Sequence, residues 1–303
     1  MDTKPSDYER SAKEQIWQWK NPKQTMFDKA MAVVSWPLDK ASDAVMNTPG
    51  LGPAIQSAFA GVLGVINDVS HWSVRPDVIL DEYRRFTGSE FRDLDAIHTL
   101  DLQVVDRAMG WLDTKYEGMA LMEGAAAGAS STVNPLVGLA AISVDVIALT
   151  TMNLRAVGEY ATYCGFDIGN PEERLFALNV LAYASSPTDA AKQMALAQLI
   201  RIARDVALRK AWQDLEKHVV VQAIQQIAKS VSLRLTKAKL AQVLPVAGAA
   251  LGGGFNAYYT SKVCRAAFYL YRERFLAAKY GVENIEITVQ PADSLNPDYE
   301  SEP

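Results

Sequence analysis

The sequence predicts an all-α protein, a single multi-helix bundle with a long central apolar helix and two Gly/Ala-rich helical hairpins. Apolar residues recur at intervals of three and four over most of the 303-residue chain, which is typical of amphipathic helices. Hydrophobic residues make up 49% of the chain and charged residues 21%, as in packed globular proteins. The length allows either two domains or one large bundle.

Capping signals predict the N-terminal helices. Ser6 and Glu9 have the spacing of a capping box, in which each side chain accepts a hydrogen bond from the other residue's backbone N–H. This helix is predicted to stop at Asn21-Pro22, and a second helix follows from near Thr25.

The chain is expected to have three regions. Residues 1–48 form an N-terminal helical arm, and residues 49–281 form the main helical domain. Residues 282–303 form an acidic, proline-bearing tail that is largely disordered, because it has too little apolar surface to bury.

The clearest periodic signal lies in the middle of the chain. Pro76 opens a helix that Gly88 closes, and an apolar stripe then runs from Leu102 to Met119. The next position of that stripe is Glu123, which is therefore predicted to point inward. A carboxylate on an apolar face costs several kcal/mol unless it is paired, neutralised or hydrated, so Glu123 is expected to have a partner.

The central helix is predicted to begin at Pro135, with Asn134 as its cap, and to end near Cys164. Its first half is apolar on every side, which is typical of a buried helix. Gly165 is expected to end it in the left-handed conformation. Further helices are predicted at 171–184, 188–216, 219–234 and 256–280.

Two uncharged, small-residue stretches are the most unusual feature of the sequence. One is the 21 residues between Glu123 and Asp145, and the other lies at 243–259. The first is as long as a membrane span, but its flanking charges and internal proline argue against crossing. We interpret the two stretches as matched halves of one apolar site. The candidate ligand-binding residues are Glu123, Gly124, Gly128, Pro135, Gly138, Asp145, Pro245, Gly248, Asn256 and Tyr259.

Basic residues are concentrated in one part of the chain. Residues 170–240 contain eleven Lys and Arg against six Asp and Glu, a net charge of +5, while the rest carries −10. This asymmetry suits an anionic membrane surface, although solvated helix faces explain it equally well. The candidate headgroup contacts are the basic residues just before the second stretch: Arg234, Lys237 and Lys239.

Known catalytic and metal-binding patterns do not appear in the sequence. There is no phosphate-binding glycine loop, zinc-binding HExxH, di-iron Glu-x-x-His or assignable triad. No cofactor, metal or catalytic residue is therefore predicted, and Cys164 and Cys264 are expected to be reduced core residues. The polar, charged N-terminus excludes a secretory signal, which favours a cytoplasmic protein.

Several phrases of the sequence resemble the EcsC family. They are EGAAAG at 123–128, EYATYCGFDIGNPEERLFAL at 159–178 and LPVAGAALGGGFNAYYTSKVCRAAF at 244–268, in the same order and spacing. The run at 130–132 departs from the family pattern, which more often has glycine there. The resemblance implies a bacterial, all-helical protein that attaches to membranes and has no accepted catalytic site. The family is distantly similar to the eukaryotic senescence domain, which is linked to lipid-droplet binding and lipid transfer.

The residue patterns and the family resemblance lead to the same expected function. We expect an amphitropic, non-enzymatic protein at the inner face of the plasma membrane, which binds membrane lipid or another apolar ligand between its Gly/Ala-rich helices and binds no nucleic acid. One alternative is an interaction module acting on a membrane protein complex, and another is a hydrolase using Glu123 and Asp145 as an acid pair. For any individual glycine, close helix packing is the simpler explanation.

Overall fold

A computed structural model of the chain describes residues 4–21, 51–68, 70, 74–130, 135–186, 189–207, 224–225, 227–233, 235–236, 254–281 and 285. Every regular element among these residues is a helix, which confirms the all-α bundle. The elements are α1 (Asp7–Lys20), α2 (Leu51–Asn67), α3 (Pro76–Thr87), a 3-10 helix (Leu94–Thr99), α4 (Leu102–Met109), α5 (Leu112–Ser130), α6 (Pro135–Tyr163), α7 (Pro171–Ala184), α8 (Asp189–Ala207) and α9 (Gly254–Tyr280). The described residues of 224–236 are also helical.

Local signals predicted several helix ends correctly. The capping box of α1 is present, because the Glu9 N–H donates to Ser6 Oγ at 3.2 Å and the Ser6 N–H donates to Glu9 Oε2 at 3.0 Å. Gly88 ends α3 with a φ of 70°, and Gly165 follows α6 with a φ of 86°. Both values lie in the left-handed region that glycine adopts without steric penalty.

The stretch from α4 to α5 differs from the prediction. The chain breaks at Gly110, and α5 restarts at Leu112, so the buried positions become Leu112, Tyr116, Ala120 and Gly124. Met119 is exposed and Glu123 is half-buried, one position away from the buried face. The apolar spacing in the sequence does not show this shift, because it assumes one continuous helix. Each residue rotates the side-chain direction by about 100° around the helix axis, so a break changes which positions face the core. The helix continues to Ser130.

The core of the bundle is formed by α5, α6 and α9. Asp145 of α6 contacts Asn256 near the start of α9, and the Tyr160 and Phe268 rings meet further along, 6.4 Å apart. The two helices therefore run in the same direction. A Cβ placed on Gly124 of α5 would lie 3.3 Å from the Asn256 amide nitrogen, so the end of α5 meets the start of α9. The turns of both predicted hairpins lie outside the described residues.

Helix α2 approaches α6 through a glycine. A Cβ placed on Gly61 would lie 2.1 Å from Ile147 Cδ1, so an alanine there would displace that side chain. This helix covers Leu51–Asn67, a stretch without charged residues. The helix predicted from Thr25 lies outside the described residues.

Buried ion pairs fasten α1 and α7 to the second half of α9. Lys20 donates to both carboxylate oxygens of Glu273 at 2.6 Å, and both side chains are buried. On α7, Glu173 accepts two hydrogen bonds from the buried Arg274. The first helix of the predicted arm is therefore packed on the main bundle. The boundary predicted at residue 48 lies outside the described residues and stays a prediction.

A further contact joins α1, α4 and α9. Arg272 pairs with Asp106 at 2.9 Å, and the Tyr8 hydroxyl donates to the same Asp106 oxygen at 2.7 Å. Burial, helped by the hydrogen bond to Asp106, raises the pKa of Tyr8 to about 12, so the hydroxyl keeps its proton at neutral pH. These polar contacts add to the apolar packing of Ala12, Ile16 and Trp19 in docking α1 on the bundle.

Candidate functional site

The two predicted stretches meet at one layer of the bundle. Asn256 donates from Nδ2 to Asp145 Oδ1 at 3.4 Å, and its side chain packs on the backbone of Gly124. Asn256 is 1% exposed, so its amide contacts protein on all sides. A larger residue at Gly124 would push α5 away from α9, because a Cβ would already be 3.3 Å from the amide nitrogen. At this layer, the small size of Gly124 allows α5 and α9 to pack closely.

Exposed apolar side chains surround this layer. Four of them lie within three residues of Gly124, Asp145 or Asn256, and we call them the apolar collar. They are Leu121 (53% exposed), Met122 (69%), Val144 (66%) and Tyr258 (42%). Single exposed apolar residues are common on protein surfaces, but a group on three adjacent helices is typical of an interaction surface.

The collar residues lie within or beside two uncharged parts of the chain. Residues 124–144, which run from the last part of α5 into the first part of α6, carry no charge. Residues 240–261, which include the start of α9, carry none either. The contacts of Asn256 bring the ends of both segments to the same end of the bundle. The charged residues that flank the first segment, Glu123 and Asp145, are both half-buried. We call this the collar end of the bundle.

The structure brings four of the predicted ligand-binding residues together: Glu123, Gly124, Asp145 and Asn256. Tyr259 lies on another side of α9, where its buried hydroxyl forms a 2.6 Å hydrogen bond with Ser185 Oγ of α7. The remaining predicted positions within helices are Gly128 in α5, and Pro135 and Gly138 in α6.

Other predicted site residues lie outside the described part of the chain. They are Pro245 and Gly248 of the second stretch and the three candidate headgroup contacts, Arg234, Lys237 and Lys239. Their assignments stay predictions.

The sequence reasoning missed the collar itself. Val144 lies in the half of the central helix that was predicted to be buried, and Leu121 and Met122 were given no role, although all three are solvent-exposed. The sequence of α5 does indicate this exposure. Leu121 and Met122 lie outside the four-residue repeat of buried positions that runs from Leu112 to Gly124. That spacing becomes visible only when the helix is known to restart at Leu112.

The buried nucleophilic groups of the bundle are not arranged for covalent chemistry. Burial raises the pKa of the Cys164 and Cys264 thiols well above the ordinary value, so both stay protonated at neutral pH. Within the described residues, no group of three or more His, Cys, Asp and Glu side chains is placed to hold a metal ion. The acid-pair hydrolase stays a prediction that these contacts do not strengthen.

One described helix is long and apolar enough to cross a membrane by length and composition. It is the part of α6 from Ala141 to Tyr163, and most of its apolar window is buried in the bundle. Core helices of globular bundles have the same properties, so this is weak evidence for a membrane span.

The sequence of this helical region matches a known family. The EcsC protein family model aligns with residues 10–276, which runs from α1 to near the end of α9 and includes the Gly124, Asp145 and Asn256 layer. The chain belongs to the EcsC protein family. Neither the curated proteins nor the solved structures contain a significant match. EcsC membership covers most of α1, so the family pattern includes the helix that packs against α9.

Proposed function

We propose that this EcsC protein is a peripheral, non-enzymatic lipid-binding protein that contacts the membrane with the collar end of its bundle. The observation that carries the proposal is the apolar collar, whose exposed side chains lie within or beside the two uncharged stretches on three helices. The acyl chains would be held among the Gly/Ala-rich segments beyond the collar. Contact with the inner face of the plasma membrane from the cytoplasm is part of the proposal.

The size of the apolar surface supports reversible rather than permanent attachment. Burying an exposed apolar side chain contributes on the order of 1 kcal/mol, so the four collar residues together supply several kcal/mol. Attachment by such a surface is weaker than insertion of a spanning helix, and it is adjustable by further contacts. The collar is thus suited to an amphitropic protein.

The interaction module on a membrane complex is the second candidate. The same exposed side chains support it, because an apolar surface bordered by polar residues also fits a protein partner. The lipid proposal is favoured because the uncharged segments add apolar length beyond the collar, which a bilayer accommodates more readily than a second protein surface.

Vesicle co-sedimentation with charge-insertion variants tests the proposal. Val144→Glu places a carboxylate in the collar, and we expect it to weaken vesicle binding at least tenfold, because the charge must be desolvated at the lipid surface. Val78→Glu is the matched control, since Val78 of α3 is 50% exposed and the substitution changes net charge equally.

The control position lies at the other end of the bundle. The Tyr83 hydroxyl of α3 donates at 2.7 Å to the carbonyl of Tyr163, the last residue of α6. Val144 precedes Tyr163 by 19 residues, or about 28 Å of helix. Equal binding by wild type, Val144→Glu and Val78→Glu would refute the proposal, provided that circular dichroism shows all three folded.

A further inference from the structure

The exposed face of α9 changes from aromatic to basic just beyond the collar. Tyr258, Lys262 and Arg265 are all exposed and are spaced four and three residues apart, so they lie along one face of the helix. Lys262 Nζ lies over the Tyr258 ring, 4.4 Å from its centroid. Tyrosine followed by lysine is the arrangement found where helices pass through a membrane interface.

The two basic residues have their charges available. Among the described residues, neither Lys262 nor Arg265 forms an ion pair. The other basic residues near the end of α9 are buried with acidic partners, as Arg272 is with Asp106 and Arg274 with Glu173. The collar-side half of α9 therefore carries cations that the fold itself does not use.

The acidic residues around this face do not cancel those charges by pairing. Asp145 accepts a hydrogen bond from Asn256 and is half-buried with Glu123 at the collar. Burial raises the pKa of Cys264, and the charges of Glu117 and Asp113 on α5 add to this shift, but neither carboxylate pairs with Arg265. Lys262 and Arg265 are therefore exposed positive charges on this side of α9.

The spacing fits the thickness of a headgroup layer. At 1.5 Å per residue, Lys262 lies about 6 Å and Arg265 about 10 Å along the axis from Tyr258. The polar layer on each side of a bilayer is about 5–7 Å thick, and both side chains can reach several ångströms along the helix. If the collar meets the hydrocarbon boundary, both cations lie at the level of the lipid phosphates.

We propose that α9 meets the bilayer end-on and that Lys262 and Arg265 bind the phosphates of anionic phospholipids. The inference rests on the proposed function, and it adds the class of lipid and the orientation of the bundle. In this orientation α1 and α3 face away from the membrane, because they pack near the opposite ends of α9 and α6.

The test compares vesicles of phosphatidylcholine alone with vesicles that also contain phosphatidylglycerol. We expect the double variant Lys262→Gln/Arg265→Gln to bind the anionic vesicles about 30-fold more weakly, because each basic residue near the surface contributes about fivefold. Binding to the neutral vesicles should be unchanged. The matched control is Arg85→Gln/Arg107→Gln, which removes two exposed positive charges from α3 and α4.

The outcomes separate this inference from the proposed function. An equal loss in both double variants would mean that net charge alone acts, and it would overturn the headgroup assignment. Wild-type binding by Lys262→Gln/Arg265→Gln would overturn it as well. In both cases, the proposal that the collar contacts the membrane is tested separately, by comparing the vesicle binding of Val144→Glu with that of Val78→Glu. Inorganic phosphate at matched ionic strength should not compete, and competition would indicate a free-phosphate site and overturn the lipid assignment.

Discussion

Glu9 and Lys279, 270 positions apart in the chain, form an ion pair of 2.7 Å in the bundle. The Glu9 carboxylate is fully buried and also accepts hydrogen bonds from the Tyr280 hydroxyl at 2.6 Å and the Leu102 N–H at 3.2 Å. One carboxylate thus caps α1 and joins it to α4 and α9. Burial raises its pKa, but the hydrogen bonds from Lys279 and Tyr280 outweigh this, and the pKa of Glu9 is lowered overall.

Removing the lysine of this pair should destabilise the protein strongly. We expect Lys279→Met to lower the free energy of unfolding by about 3 kcal/mol, because it leaves a buried carboxylate without its cation. Urea denaturation followed by circular dichroism measures the change. Lys262→Met on the same helix is the control, and its exposed side chain should matter by less than about 1 kcal/mol. Equal losses for the two variants would contradict the prediction.

Arg274 should not tolerate replacement by lysine. Its guanidinium donates two hydrogen bonds to Glu173 and lies 4.1 Å from the Phe166 ring centroid and 4.4 Å from that of Phe176. Lysine keeps the charge but loses the paired geometry and the flat contact with the rings. We expect Arg274→Lys to cost about 2 kcal/mol in thermal or urea unfolding. The exposed Arg265→Lys should be nearly neutral, and a similar loss there would argue against this explanation.

Gly88 and Gly165 both have a left-handed backbone conformation, and alanine substitutions there distinguish the cost of backbone strain from the cost of steric crowding. Gly88→Ala should cost about 1–2 kcal/mol, since its φ is 70° and a Cβ would meet nothing within 4 Å. Gly165→Ala should cost clearly more, because a Cβ would lie 2.7 Å from His98 Nε2 and 2.9 Å from the Leu94 carbonyl oxygen. Comparing the urea midpoints of the two variants checks the prediction. Equal midpoints would show that the 3-10 helix moves aside without cost.

Two glycines of α5 test the packing at the collar end. Gly124→Leu should destabilise the bundle by about 1–3 kcal/mol, because the side chain must displace the buried Asn256. Gly118→Leu should leave stability unchanged or raise it by up to about 1 kcal/mol, since its Cβ would meet nothing within 4 Å and leucine favours helix. Thermal unfolding of both variants measures the change in stability. A neutral Gly124→Leu would show that space is available between α5 and α9.

His98 should make the fold sensitive to mild acid. Burial lowers the pKa of His98 from its ordinary value of 6.5, and its Nε2 lies 3.0 Å from the Cys164 carbonyl oxygen. The unfolded chain therefore binds a proton more readily than the folded chain does. Stability should be highest above pH 6.5 and fall as the pH drops through the folded-state pKa.

The imidazole titration of His98 by NMR measures this directly. A pKa at or above 6.5 would contradict the prediction. His98→Gln should flatten the stability profile between about pH 6.5 and pH 5.

The sequence by itself determined the class of the fold and many of its helix ends. The Ser6 and Glu9 capping box, the Pro76 start and the glycines after α3 and α6 all appear as predicted. These signals are local, because a cap or a left-handed turn depends on a few adjacent residues. The family phrases were also readable, since they are contiguous in the chain.

Only the tertiary structure decided which residues face each other and which face solvent. The break at Gly110 turned α5 so that Gly124 is buried and Met122 exposed, a rotation that the apolar stripe could not show. Glu9 was recognisable as a cap, but its partner Lys279 is remote in sequence, and charge alone does not select one lysine among many. Long-range partners and the phase of a helix depend on packing, which is a property of the whole bundle.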